Sequence, residues 1–106
     1  MARMTKYRAI PTVVDGIRFA SKKEANRYRN LCLMHEAMEI EDLELQPSYD
    51  IVVGGKKVCR YVADFRYKDR RTGEIVVEDV KGVKTAVYRL KKKLMKALHG
   101  IEITET

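Results

Sequence analysis

The sequence predicts a single α/β domain, with a mixed β-sheet flanked by helices. Two segments carry apolar residues at helical spacing, and several short stretches with strand-like alternation lie between them. The chain has 106 residues, enough for one hydrophobic core but not for two. We therefore expect residues 1–106 to form one domain, in which residues 1–9 are a flexible basic arm.

The first third of the chain predicts a hairpin and a helix. Short strands at 12–14 and 17–19 flank an Asp-Gly dipeptide, which is typical of a tight turn. Ser21 and Glu24 form a capping-box pattern that opens a helix running to about Glu39. Five residues on one face of this helix have roughly helical spacing: Ala25, Tyr28, Leu31, Cys32 and Met38.

Strands dominate the middle of the chain. We expect strands at 43–45 and 49–53, followed by a Gly-Gly hairpin signal. Residues 57–68 alternate, and a polar turn at 69–73 leads into a strand at 74–81. The alternation predicts that five residues share one face: Cys59, Tyr61, Ala63, Phe65 and Tyr67.

A second helix and a short strand complete the predicted domain. The helix runs from about Thr85 to Leu98 and is stopped by Gly100, and residues 101–103 form the last strand. An apolar stripe on this helix consists of Val87, Leu90, Leu94 and Leu98. A separate basic stripe consists of Arg89, Lys92, Lys93 and Lys96.

The net charge of +7 is unevenly distributed. Residues 1–29 carry +6, residues 30–55 carry −6 and residues 56–106 carry +7. This pattern favours a polyanionic partner approached from one side, although a solubilising charge pattern would look the same. No run of about 18 apolar residues is present, which excludes a membrane-spanning helix.

The composition also bears on the compartment. The basic N-terminus leads into no apolar segment, so we expect no secretory signal and a cytoplasmic location. Cys32 and Cys59 are expected to be buried free thiols, as in a reducing compartment. His35 and His99 are isolated in the sequence and are not expected to bind a metal.

An acid and a lysine continue the apolar row of the strand at 74–81. With a period of two, Asp79 and Lys81 point the same way as Ile75 and Val77. Charges beside a core are costly unless they pair with each other or bind an ion. A structural Asp–Lys pair and an ion site therefore both fit this strand.

A second carboxylate strengthens the ion-site interpretation. If the strands pair through the turn at 69–73, Asp64 and Asp79 lie close together on one sheet face. Two neighbouring carboxylates repel unless a cation lies between them, and oxygen ligands suit Mg²⁺ or Mn²⁺. Glu24 either supplies a third carboxylate from its helix or only caps that helix through Ser21.

Three strings stand out together: Glu24, Tyr61-Val62-Ala63-Asp64-Phe65 and Glu78-Asp79-Val80-Lys81-Gly82. With Thr85-x-x-Tyr88-x-Leu90-Lys91 after them, they resemble the PD-(D/E)xK nuclease superfamily, which has the restriction-endonuclease-like fold. Within it they are similar to a small phage-encoded subgroup related to Holliday-junction resolvases. The resemblance covers about Asp15 to Ile101, with Ala63 where the superfamily often has proline.

The resemblance implies a metal-dependent DNA endonuclease with Glu24, Asp64, Asp79 and Lys81 as catalytic residues. Mg²⁺ (or Mn²⁺) would be held by Asp64, Asp79, the Val80 carbonyl and Glu24. Lys81 would orient a water or stabilise charge on the phosphate, leaving a 5′-phosphate and a 3′-hydroxyl. Glu78 is expected to face the opposite side of the strand.

The implied substrate is DNA, preferentially branched, during phage recombination or DNA processing in the host bacterial cytoplasm. We expect the basic stripe to bind phosphates, together with three residues of the arm: Arg3, Lys6 and Arg8. The rival hypothesis is a module on the same fold that binds DNA or a replication partner without catalysis.

We also expect a homodimer. Leu33, Met34 and Ala37 form a second apolar face on the first helix, and such a face usually meets a partner. The alternative is that strands at 43–53 fold back over it within one chain.

Overall fold

The computed structural model describes residues 10–106, in which two helices and eight strands form a mixed α/β fold, as predicted. In chain order these are β1 (Thr12–Val14), β2 (Ile17–Phe19), α1 (Lys22–Glu36), β3 (Ile40–Leu45), β4 (Ser48–Val53), β5 (Lys56–Val62), β6 (Phe65–Asp69), β7 (Ile75–Asp79), α2 (Ala86–Leu94) and β8 (Thr104–Glu105). A π-helical turn at Met95–His99 continues α2. The arm at residues 1–9 lies outside the described residues. Within 10–106, no helix is long and apolar enough to cross a membrane.

The main sheet has four strands in the order β3-β6-β7-β8. Its pairs are antiparallel except β7–β8, which is parallel and aligns Asp79 with Glu105. The other strands form two separate hairpins, β1–β2 and β4–β5. The end of β7 is thus held between β8 and the start of β6.

Two hydrophobic cores lie on opposite faces of β7, because alternate residues of a strand face opposite sides. Val77 belongs to the core on the side of α2, and Val76 packs against the core on the side of α1. The α2-side core consists of Ile51, Tyr61, Ala63, Val77, Tyr88, Met95 and Ile103. The α1-side core consists of Phe19, Ala25, Leu31, Ile40, Phe65 and Tyr67.

Local signals account for the element boundaries. Asp15 and Gly16 have φ values of 54° and 76°, as the two central residues of a tight hairpin turn require. The hydroxyl of Ser21 accepts a hydrogen bond from the N–H of Glu24 at 3.1 Å and caps α1. Thr85 caps α2 in the same way, through the N–H of Tyr88 at 3.1 Å.

The alternating segment 57–68 is two strands in different sheets. β5 ends at Val62 and β6 begins at Phe65. Tyr61 and Ala63 enter the α2-side core, whereas Phe65 and Tyr67 enter the α1-side core. The prediction of one shared face is therefore wrong. Ala63 and Asp64 separate the two strands, so the alternation continues in the sequence although its apolar residues enter different cores.

The predicted apolar stripe of α2 is largely exposed. Val87 and Leu90 are about three-fifths accessible, at 62% and 58%, and only Leu94 of the stripe packs against the α2-side core. The buried residues of this helical segment are Tyr88 and Met95, seven positions apart. The sheet covers the face that contains these two residues, and the sequence pattern did not reveal which face that would be.

Smaller differences concern ends and burial. α1 ends at Glu36 rather than about Glu39, and Met38 is exposed rather than on the buried face. The last strand is Thr104–Glu105, not 101–103. Cys32 and Cys59 are free thiols as predicted, but they are half-buried.

Candidate active site

Asp64 lies at the junction between the β4–β5 hairpin and the main sheet. Its N–H donates to the carbonyl of Glu78 at 3.0 Å, which continues the β6–β7 pairing by one step. Its carboxylate accepts a hydrogen bond from the N–H of Val80 at 2.7 Å. The break after β5 thus fixes the Asp64 side chain beside the end of β7, where Asp79 lies.

Asp79 is 2% exposed, and each of its carboxylate oxygens has a partner. Its Oδ1 lies 3.0 Å from the Nζ of Lys81, and its Oδ2 accepts a hydrogen bond from the hydroxyl of Tyr61. The ammonium of Lys81 also lies 4.1 Å from the centroid of the Tyr88 ring. The structure brings Asp64, Asp79 and Lys81 together at the end of β7, as the expected strand pairing implies.

Glu24 is buried at the start of α1, 9% exposed. Hydrogen bonds with the backbone of Ala20 and with Asp64 lower the pKa of its carboxyl, but burial raises this pKa more. The neighbouring Lys23 donates from Nζ to the carbonyl of Lys81 at 3.0 Å. The first turn of α1 is therefore hydrogen-bonded to the backbone just after β7.

The carboxyl groups are electrostatically coupled. Burial, followed by a hydrogen bond with Asp79, raises the pKa of Asp64 from 3.8 to about 8. The negative charges of Asp79 and Glu24 raise it further. The raised pKa favours the protonated form of Asp64, and a bound cation would favour its ionised form instead.

Glu78 faces away from this cluster, as predicted. It is fully buried, and its carboxylate accepts two hydrogen bonds from Arg27, at 2.8 and 2.7 Å, and one from Tyr67. These partners lie on the α1 side of the sheet. They satisfy the buried charge, so Glu78 is a structural carboxylate and Asp79 is the acid of the site.

The oxygen atoms at this site match the donors that Mg²⁺ and Mn²⁺ prefer. In residues 10–106, however, no three His, Cys, Asp or Glu side chains are arranged to hold a metal ion. Both oxygens of Asp79 already have partners, in Lys81 and Tyr61. The carboxylates of Asp64 and Asp79 are therefore suitable ligands for a cation. Lys81 would have to move away from Asp79 before the ion could bind.

The basic stripe of α2 lines a depression of about 390 Å³. Besides Arg89, Lys92, Lys93 and Lys96, its lining includes Lys84, Glu102, Ile103 and Glu105. The structure thus brings the four predicted DNA-binding residues of α2 together. Arg3, Lys6 and Arg8 lie outside the described residues.

Comparison with known proteins gives a family without an assigned activity. A family model described as a protein of unknown function, DUF1064, matches residues 4–103. The chain belongs to the DUF1064 family. No curated protein and no solved structure matches it. The nuclease resemblance of this DUF1064 protein stays a hypothesis that depends on its motif and site geometry.

Sequence reasoning missed several partners of the site in this DUF1064 protein. Tyr61 and Tyr88 occur in the motif strings, but their contacts with Asp79 and Lys81 depend on the α2-side core. No feature of the sequence indicated that Lys84 or Glu105 lies near the site. Glu105 reaches the site only because β8 pairs beside β7.

Proposed function

We propose that this protein is a Mg²⁺- or Mn²⁺-dependent DNA endonuclease that hydrolyses phosphodiester bonds. The observation that carries the proposal is the convergence of Asp64, Asp79 and Lys81 at the end of β7, with Glu24 beside them. Buried carboxylates with a raised pKa, next to a lysine, are typical of catalytic sites.

The residues have separate roles in the proposed reaction. Asp64, Asp79, the Val80 carbonyl and Glu24 would hold the ion, which supplies a nucleophilic hydroxide and neutralises phosphate charge. Lys81, released from Asp79, would donate hydrogen bonds to the phosphate oxygen on which charge develops. Tyr61 would keep donating to Asp79 and so hold that carboxylate in one orientation.

We further propose that the substrate is branched DNA and that the protein acts in phage recombination or DNA processing in the bacterial cytoplasm. Two features support a DNA substrate, the net charge of +7 and the basic lining of the depression beside α2. Lysine and arginine contacts to phosphates give affinity that does not depend on sequence, which suits selection by DNA shape.

A homodimer is part of this proposal, because symmetric incision of a four-way junction needs two sites related by a two-fold axis. Leu33 on α1 is 63% exposed, which supports an apolar contact there. Met34 packs against the α1-side core together with Leu43 and Leu45. Of the second apolar face of α1, Met34 is thus partly covered by the core, while Leu33 is exposed.

The test is a cleavage assay on a four-way junction, a flap and a linear duplex, with Mg²⁺ or with EDTA. We expect Mg²⁺-dependent cutting by the wild type and none by Asp64→Asn or Asp79→Asn, both of which should still bind DNA. Glu102→Gln is the control, because it removes a carboxylate outside the site. Full cutting by either aspartate variant would refute the site assignment.

The same assay addresses the rival module without catalysis. Tight DNA binding with no cleavage under any divalent cation would favour that function.

A further inference from the structure

Three donors converge on Glu105 next to the candidate active site. The hydroxyl of Tyr88 donates to its Oε2 at 2.7 Å. Lys84 lies 2.9 Å from Oε1, and Lys92 lies 3.2 Å from Oε2. We call Glu105, Tyr88, Lys84 and Lys92 the Glu105 cluster.

The cluster is joined to the site by direct contacts. Glu105 is the register partner of Asp79 in the β7–β8 pair. The ring of Tyr88 lies against Lys81, while its hydroxyl reaches Glu105. A DNA strand that reached Lys81 would therefore pass next to the cluster.

The cluster has the donors of a phosphate site. Two ammonium groups and one hydroxyl surround a single anionic group, and Lys84, Lys92 and Glu105 line the basic depression of about 390 Å³ beside α2. Hydrogen bonds from Lys84 and Tyr88 lower the pKa of Glu105 from 4.5 to about 2, so the carboxylate is fully charged at neutral pH. A carboxylate and a phosphodiester each present two oxygens sharing one negative charge.

We propose that the Glu105 cluster is a second phosphate-binding site, in which a backbone phosphate of bound DNA displaces the carboxylate of Glu105. Glu105 then acts as an internal competitor that occupies Lys84, Lys92 and Tyr88 when DNA is absent. The side chain of Glu105 is 22% exposed and lies on a two-residue strand at the edge of the sheet, so a change of its rotamer is sufficient. This inference rests on the proposed DNA binding but not on catalysis.

The test is the affinity for a labelled four-way junction, measured by fluorescence anisotropy in EDTA at several salt concentrations. Glu105→Gln keeps an acceptor for Tyr88 but removes the competing charge. We expect it to bind about fivefold more tightly at about 0.15 M salt, with a salt slope steeper by roughly 0.9 for each additional phosphate that the protein neutralises.

Glu102→Gln is the matched control. It removes one negative charge from the same depression, but Glu102 is 77% exposed and pairs with Lys96 only at 3.9 Å. We expect a much smaller increase in affinity from this variant. Equal effects of the two variants, or weaker binding by Glu105→Gln, would refute the displacement and leave only a general charge effect.

Lys84→Ala keeps the proposal testable if Glu105→Gln does not fold. Lys84 is expected to contact DNA although Glu105 neutralises it in the free protein, so this variant should bind several-fold more weakly. Unchanged binding by Lys84→Ala would show that the lysine serves only Glu105.

The proposed function fails separately. The predicted affinity changes without Mg²⁺-dependent cleavage would refute the nuclease and keep the second site. Mg²⁺-dependent cleavage with unchanged affinities would support the nuclease and refute the second phosphate site. A wild type that binds no DNA would refute both proposals.

Discussion

Lys81 lies over the face of Tyr88, with its ammonium 4.1 Å from the ring centroid. A cation on an aromatic face is stabilised by about 0.5–2 kcal/mol, depending on its exposure. The ring therefore positions the ammonium beside Asp79, while the hydroxyl of Tyr88 is directed away to Glu105. The ring of Tyr88 thus contacts Lys81, whereas its hydroxyl contacts Glu105.

This separation predicts different results for two substitutions. Tyr88→Phe keeps the ring and should cleave DNA at nearly the wild-type kcat. Tyr88→Leu loses the ring, and we expect kcat to fall about fivefold, as a loss of about 1 kcal/mol requires, while KM changes less. Cleavage kinetics and thermal denaturation of both variants check this. If the two variants lost kcat equally, the hydroxyl rather than the ring would position Lys81.

The raised pKa of Asp64 predicts how stability depends on pH without divalent cations. Between about pH 4 and pH 8 the folded protein keeps a proton on Asp64 that the unfolded chain has released. The free energy of unfolding should therefore fall as pH rises through this range. Asp64→Asn cannot ionise and should flatten this part of the profile in urea unfolding with EDTA.

Adding Mg²⁺ extends the same experiment. An ion that binds only the folded state stabilises it, and we expect this at about pH 8 for the wild type but much less for Asp64→Asn. Equal stabilisation of both proteins would place the ion elsewhere.

Glu24→Gln decides between the two roles of this helix residue. The cap itself is the Ser21 hydroxyl bonded to the N–H of Glu24, which glutamine preserves. We therefore expect helix stability to change by less than the roughly 1 kcal/mol that a lost cap costs. If Glu24 also holds the ion, cleavage should fall at least tenfold at low Mg²⁺ and recover partly at high Mg²⁺. An unchanged rate at every Mg²⁺ concentration would leave Glu24 a structural residue.

The exposed members of the basic stripe should govern affinity rather than chemistry. Arg89 and Lys93 are exposed and lie in the same depression as Glu105. Changing both to alanine should flatten the log–log salt dependence of binding by roughly 0.9 for each phosphate that is no longer neutralised. The cleavage rate at saturating DNA should be unchanged. An unaltered salt slope would show that DNA lies on another surface.

The sequence predicted the parts of the fold that depend on local signals. The Asp-Gly turn, the Ser21 and Thr85 caps and the antiparallel strands around the turn at 69–73 all occur. The convergence of Asp64 with Asp79 followed from that strand pairing. These features involve residues close together in the chain, whose geometry is fixed by short-range hydrogen bonds.

Features that depend on distant contacts were missed. The break before Phe65 keeps the alternation intact, so only tertiary structure reveals that Tyr61 and Tyr67 enter different cores. The burial of Tyr88 instead of Leu90 depends on where the sheet meets α2. Glu105 lies at the site because β8 pairs with β7. This pairing aligns Asp79 with Glu105, which is 26 positions further along the sequence.

The last prediction concerns assembly through α1. Leu33 is 63% exposed, whereas Leu90 is a similarly exposed leucine, at 58%, on α2. If the dimer forms through α1, Leu33→Glu should give a monomer in sedimentation at micromolar concentration, because a charge at an apolar interface opposes association. Leu90→Glu is the matched control and should leave the dimer intact. Met34→Glu is unsuitable, since Met34 packs against the α1-side core and the substitution would also disturb that core. Dissociation by Leu90→Glu but not by Leu33→Glu would show that the interface lies on α2. A monomeric wild type that cuts both strands of a junction in one binding event would exclude the dimer.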